Sequence, residues 1–180
     1  MNPKKSINLM WAPWRKTYLR SSPGRHSGCL FCSLLRDKRD KRNLILFRTA
    51  HYAVLLNRYP YNNGHLMIVP KRHIAAFSQL NEPEKKEFFE VLDKTLGALT
   101  KAMKPHGFNL GMNISDVAGA GVPDHMHWHI VPRWKGDVNF MPVVAGTKVI
   151  SESLESAYDV LNQALALKVR SGRTVCKGKK

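Results

Sequence analysis

No run of apolar residues approaches the roughly 18 needed to cross a bilayer, so nothing in these 180 residues reads as a membrane-spanning helix. The first ten residues, M-N-P-K-K-S-I-N-L-M, carry charge but no continuous apolar core, which reads against a secretory signal. Cysteine is scarce. There are three, two of them in Cys29-Leu-Phe-Cys32, too few for a disulfide framework, and they predict a reducing, cytoplasmic compartment. There is no internal repeat and no long low-complexity stretch. The length suits one domain with its own core rather than two.

Acidic residues are also few, 13 against 29 Lys and Arg, for a net charge of +16. The excess is not evenly spread. Residues 1–42 hold eleven basic and two acidic residues, and residues 168–180 hold six basic and none acidic. The stretch between them has twelve basic and eleven acidic residues and is almost neutral. The charge therefore belongs to the ends. It reads as solvated tails, with weak contact to nucleic acid or another polyanion as the functional alternative.

Residues 52–57 and 65–69 read as strands, and the Pro, Asn and Gly between them predict a connection that makes the two antiparallel. Asn81 reads as the N-cap of a long helix. Pro83 lies in its first turn, Phe88, Leu92, Leu96, Leu99 and Met103 form one apolar face, and Pro105 marks its end. Residues 108–114 alternate as a half-buried strand, and 125–131 alternate again after a Gly/Ala-rich loop at 117–124. Leu154, Tyr158, Leu161 and Leu165 predict a C-terminal helix. Cys29–Cys32 reads as a tight turn, and 36–43 as a mixed-charge run. The order predicts an α+β fold with an antiparallel sheet, a long helix after the second strand and a second helix at the C-terminus.

His125-Met126-His127-Trp128-His129 carries the chemistry. On a strand, residues two apart share a face, so the three imidazoles would point one way and Met126, Trp128 and Ile130 into the core. With a rise of roughly 3.3 Å per residue, neighbouring histidines are about 6.5–7 Å apart and the outer two about 13 Å. Packing alone gives no reason for such a row. Two chemistries fit it. A neighbouring His-x-His pair can ligate a metal, and a neutral imidazole can act as a nucleophile with no separate base. The glycine-rich loop Ala118-Gly-Ala-Gly121 can bring backbone N–H groups to an anion.

The segment His125–Val131, followed by Pro132-Arg133, resembles the histidine-triad family (His, apolar, His, apolar, His, two apolar). Asn57, eight residues before His65 in N-R-Y-P-Y-N-N-G-H, resembles that family's other nucleotide-contacting segment. L-M-W-A-P-W-R at 9–15, P-H-G-F-N at 105–109 and R-W-K-G-D-V-N-F at 133–140 resemble a bacterial subgroup of diadenosine-tetraphosphate phosphorylases and related hydrolases. The resemblance implies that His127 attacks the α-phosphate and holds the nucleotidyl group, with its other ring nitrogen donating to a backbone carbonyl. It implies that His129 contacts phosphate and assists the leaving group, and that His65 supports the triad. Asn57 would bind ribose, and Asn113 with Gly119, Ala120 and Gly121 would hold phosphate oxygens. Some relatives place Ser or Gln where this chain has Gly121, so only a backbone contact is expected there.

The resemblance also implies a structural zinc held by Cys29, Cys32, His73 and His125, leaving His127 and His129 for phosphate. The expected organisation is a basic N-terminal segment, 1–28, packing on the domain; a histidine-triad domain, 29–168; and a basic, flexible tail, 169–180. The expected activity is cleavage of dinucleoside polyphosphates through a nucleotidyl-histidine intermediate in a homodimer, with phosphorolysis slightly favoured over hydrolysis. The alternatives are a nucleoside phosphoramidate or nucleotidyl hydrolase, and a non-catalytic nucleotide- or nucleic-acid-binding module. Arg133 and Lys135 read either as neutralising distal phosphates or as solvated. His51 and His106 read as surface or capping groups, and Trp11 and Trp14 as packing residues.

Overall fold

The computed structural model describes residues 28–137, 150 and 152–170, with side chains to 166 in the last helix. Expectations that fall on Trp11, Trp14 and the basic ends lie outside the described residues. The elements run α1 (Leu30–Arg36), β1 (Ile45–Arg48), β2 (Tyr52–Leu56), β3 (Leu66–Pro70), a 3₁₀ turn (Phe77–Gln79), α2 (Glu82–Met103), β4 (Gly107–Gly111), β5 (Trp128–Arg133) and α3 (Leu154–Arg170). The strands form one antiparallel sheet in the order β1-β2-β3-β5-β4. The fold is α+β, with both helices and the antiparallel pair where the sequence puts them. Among the described residues no helix is long and apolar enough to cross a membrane.

Every residue of β2 and β3 is buried because the sheet is covered on both faces. Tyr52, Val54, Leu56, Leu66 and Ile68 pack with Val91 and Leu99 of α2 and with Tyr158 and Leu161 of α3. Their neighbours Ala53, Leu55, Met67 and Val69 turn to the opposite face and meet Phe31 of α1. Two-sided burial explains why these strands read as continuous apolar runs.

α2 starts where its signals stand. Asn81 Oδ1 accepts from Glu84 N at 2.9 Å and Glu84 Oε2 accepts from Asn81 N at 2.9 Å, a reciprocal capping box. It ends at Lys104, whose backbone is left-handed at φ 48°, just before Pro105. Glu84 is also held by Arg72, with contacts of 2.7 and 2.8 Å, although its side chain is only 1% exposed. The guanidinium keeps the Glu84 carboxyl below the usual carboxylate value. A carboxylate depressed by folding contributes stability that is complete above its unfolded pKa, about 4.3, and is lost as pH falls through the folded value. Glu84→Gln is therefore expected to cost about 1–3 kcal/mol at pH 7, with the exposed half of Arg72 limiting the loss. Thermal unfolding of both proteins from pH 7 to pH 3 checks this, and the gap should close toward acid.

Two local expectations need correction. Cys29–Cys32 is not a tight turn but the start of α1, with Cys29 at the N-cap and no side-chain cap bond. Arg48 of β1 ties down the mixed-charge run that follows: it donates to Leu35 O at 2.7 Å and Asp37 O at 2.9 Å and pairs with Asp40 at 2.8 Å. It thereby closes the C-terminus of α1, whose last carbonyls have no helical partners. Finally, the strand expected over 108–114 is Gly107–Gly111. It is the edge of the sheet, with Leu110 half exposed, so alternation there does not mark a buried face.

Candidate active site and metal centre

Antiparallel pairing sets Met67 opposite His129, Ile68 opposite Trp128 and Leu66 opposite Ile130. Trp128 and Ile130 consequently join the α2 side, where Trp128 packs on Phe88 with ring centroids 4.3 Å apart. His129 turns to the α1 side. His125 and His127 lie just before β5, outside the paired strand, and keep the same alternation: Met126 is buried with Ile74 and Leu80, while both imidazoles meet Phe31 at 5.4 and 4.9 Å. The three-histidine row is therefore real, although only its last member lies within the strand.

The hydrogen bonds assign the ring protons. His127 Nδ1–H donates to His125 O at 2.9 Å, which leaves Nε2 with its lone pair. Burial holds this imidazole below its ordinary pKa, so it is neutral at pH 7. His65 Nδ1 accepts from Tyr61 N–H at 3.0 Å, so its proton is on Nε2. That proton is donated to His129 Nδ1 at 3.0 Å, and the proton of neutral His129 consequently resides on Nε2. One ring thus presents a lone pair and the next an N–H, with centroids 5.0 Å apart.

The loop 57–65 supports this arrangement. Asn57 N donates to His65 O at 2.8 Å, and its Nδ2 lies 3.4 Å from His65 Nδ1. Asn62 Nδ2 donates to Pro132 O and Asp137 Oδ2, both at 2.9 Å, tying the loop to the end of β5. Gly64, at φ +66°, lies where an added Cβ would come within 2.5 Å of Met103 Sδ. A side chain would therefore meet both backbone strain and a steric block.

Across the site, Asn113 Nδ2 donates to Gly119 O at 3.2 Å. The Gly119 and Ala120 amides donate within their own loop, to Asp116 O at 2.8 Å and Ser115 O at 3.3 Å. Both amides thus face into their own loop. Arg133 is committed elsewhere: its guanidinium donates to Asp137 at 2.6 and 3.0 Å and to Asn109 at 2.7 Å. Lys135 N–H donates to His106 Nδ1 at 3.1 Å, and His51 pairs with Glu87.

Cys29, Cys32, His73 and His125 form a second centre, their ligand atoms all within 4.8 Å of one another. Cys29 and Cys32, three apart at a helix start, present their sulfurs on one side. His125 Nδ1 lies 3.2 Å from Cys29 Sγ, 3.6 Å from Cys32 Sγ and 3.3 Å from His73 Nδ1, and His73 Nδ1 lies 3.4 Å from Cys32 Sγ. Tetrahedral coordination with bonds of roughly 2.0–2.3 Å has edges of about 3.3–3.8 Å. The contacts have that size. His125 Nε2–H donates to Pro70 O at 2.8 Å, which leaves Nδ1 unprotonated toward the thiols, the orientation a ligating histidine needs. The donor set suits a soft divalent cation in a closed site.

Sequence reasoning missed Phe31, which is 3% exposed and walls the histidines, as well as Tyr61 and the Pro70 carbonyl. Phe31 stands between the two cysteines and Tyr61 four residues before His65. Those spacings were the available signals.

The comparisons agree with this geometry. The HIT domain matches residues 38–136. An AP-4-A phosphorylase of Mycobacterium tuberculosis is 32% identical over 164 residues, covering 88% of this chain and 84% of its own. The adenosine 5'-monophosphoramidase hnt1 of Schizosaccharomyces pombe is 30% identical over 105 residues, covering 58% and 74%. A Zn-bound histidine triad family protein from Mycobacterium smegmatis shares the fold with a TM-score of 0.62 at 20% identity, over 80% of this chain and 97% of that one. A domain match over more than half the chain, with two facing imidazoles of opposite proton assignment, places the chain in the HIT (histidine triad) family. It is a nucleotide-processing protein of that family.

Proposed function

We propose that the chain cleaves dinucleoside polyphosphates of the diadenosine-tetraphosphate type at the α-phosphate, with inorganic phosphate favoured over water as the final acceptor. The observation that carries this reading is the tautomer of His127, neutral and with its Nε2 lone pair available. Nε2 attacks phosphorus, an N–P bond forms, and the bond from phosphorus to the bridging oxygen breaks. His129 Nε2–H donates a hydrogen bond to the departing ATP oxygen, and ATP leaves as its anion. His65 holds His129 in the donor tautomer. Attack of phosphate on the adenylyl-His127 then restores the imidazole and gives ADP. The neutral His127 needs no base, and a donor aimed at the oxygen where charge develops is worth about 10²–10³-fold.

Asn57 takes the ribose hydroxyls, while Asn113 and the Gly121 amide hold phosphate oxygens. Zinc is the ion we assign to Cys29, Cys32, His73 and His125. When bound, it ties α1 to the segment before β5, a structural role that leaves no open coordination position for substrate. The Zn-bound neighbour supports the choice of ion. A homodimer in the cytoplasm, as expected from the sequence, belongs to the same reading.

Preference for phosphorolysis rests on the mycobacterial phosphorylase, which aligns along most of both chains. The phosphoramidase from fission yeast favours a second reading, hydrolysis of a nucleoside phosphoramidate by the same two histidines. Product analysis separates them. Incubation of diadenosine tetraphosphate with and without inorganic phosphate is expected to give phosphate-dependent ADP plus ATP. AMP plus ATP without phosphate would make the protein a hydrolase with the same nucleophile. No turnover, with rapid cleavage of adenosine 5'-phosphoramidate, would replace the first reading by the second.

A further inference from the structure

The aromatic rings of the site form a sequence in which each touches the next. Phe31 lies 4.9 Å from His127, His127 lies 5.0 Å from His129, and His129 lies 5.6 Å from Tyr61. Tyr61 also stacks on His65, with centroids 4.6 Å apart and the planes 41° from parallel. The two ends of the row differ. Phe31 is 3% exposed and closes the inner end, whereas Tyr61 is 40% exposed. Its backbone is fixed, because its N–H donates to His65 and its neighbour Asn62 is tied to Pro132 and Asp137.

We propose that Tyr61 is the stacking platform for the second nucleobase of the substrate, the base that departs with the leaving group. This assignment rests on the reading above and gives it a specificity determinant. The direction follows from the order of the rings. If His127 takes the phosphorus and His129 hydrogen-bonds the leaving oxygen, the leaving group lies on the far side of His129 from the nucleophile. Tyr61 is the next ring on that side. A substituent on the leaving polyphosphate can reach an exposed aromatic face held on a loop already bonded to the catalytic histidines. A purine supplies the complementary flat surface, and base–aromatic stacking tolerates any base. A mononucleotide substrate has no group to place there. Tyr61 would therefore select dinucleotides without touching the phosphorus chemistry.

The test compares two substrates of the full-length protein. Diadenosine tetraphosphate carries the second base; the control is adenosine 5'-tetraphosphate or adenosine 5'-phosphoramidate, whichever the wild type cleaves faster. Tyr61→Leu keeps bulk against His65 and removes the aromatic face, and Tyr61→Phe keeps the face. Tyr61→Leu is expected to lower kcat/KM for diadenosine tetraphosphate by about 5- to 150-fold more than it lowers kcat/KM for the control. Tyr61→Phe should retain both activities. Equal losses on the two substrates would show that Tyr61 only props His65, and no loss on either would show that no base stacks there; each overturns the assignment while leaving the proposed reaction intact. A wild type that cleaves only the control overturns the dinucleotide reading and this assignment with it.

Discussion

His127→Ala is expected to lower turnover of diadenosine tetraphosphate by at least about 10³-fold, because it removes the atom that forms the bond to phosphorus. The neighbouring groups that bind nucleotide are untouched, so affinity for an uncleaved analogue should change by less than about tenfold. Intact-protein mass measured during turnover provides the second readout: the wild type should accumulate an adenylyl adduct and the variant none. His129→Ala should behave differently. It removes a hydrogen bond to the leaving oxygen rather than the nucleophile, so its loss should shrink when the leaving group is a weaker base. Adduct formation by His127→Ala would place the nucleophile elsewhere and overturn the assignment.

The second large effect concerns the Cys/His cluster. Purified protein should contain about one zinc per chain, and Cys29→Ser should lose it. Metal bound only by the native state adds its binding free energy to folding. Removing one ligand of a closed site is expected to cost at least about 3 kcal/mol, or roughly 10 °C in Tm for a chain of this size. Without a cation, the Cys32 thiol is pushed up by burial and by Cys29, so it has no reason to ionise at neutral pH. A coordinating cation reverses that preference. Metal analysis and thermal unfolding with and without chelator check both statements. A metal-free protein with an unchanged Tm would refute them.

How much of this was legible beforehand differs from element to element. The start of α2 was readable to the residue and its end nearly so, because Asn81, Pro83 and Pro105 are local signals with local causes. The histidine row was readable because alternation survives even where the chain has not yet entered the sheet. α1 was not. Its N-cap cysteine makes no capping bond, and its end is closed by Arg48 from another strand. Neither fact has a short-range signature. β1 was hidden for a similar reason: its four residues follow a charged run whose acids are partly neutralised by Arg48. Beyond Gly111 the alternating pattern continues but the pairing with β5 stops; among the described residues β4 has no strand on its other side. In the site, the residue types and spacing named the histidines, whereas the ring protons depend on carbonyls and amides that only the folded chain brings near.

His125 joins two devices that would otherwise be modular. Its ring faces the thiols through Nδ1 and is anchored to the neighbouring strand through Nε2, while its own carbonyl receives the Nδ1 proton of His127. A shift of that one peptide unit is felt by both. The cluster is thus a poor place to simplify the protein for expression or immobilisation: replacing its cysteines by an apolar plug could rescue thermal behaviour and still leave the reactive ring misaimed.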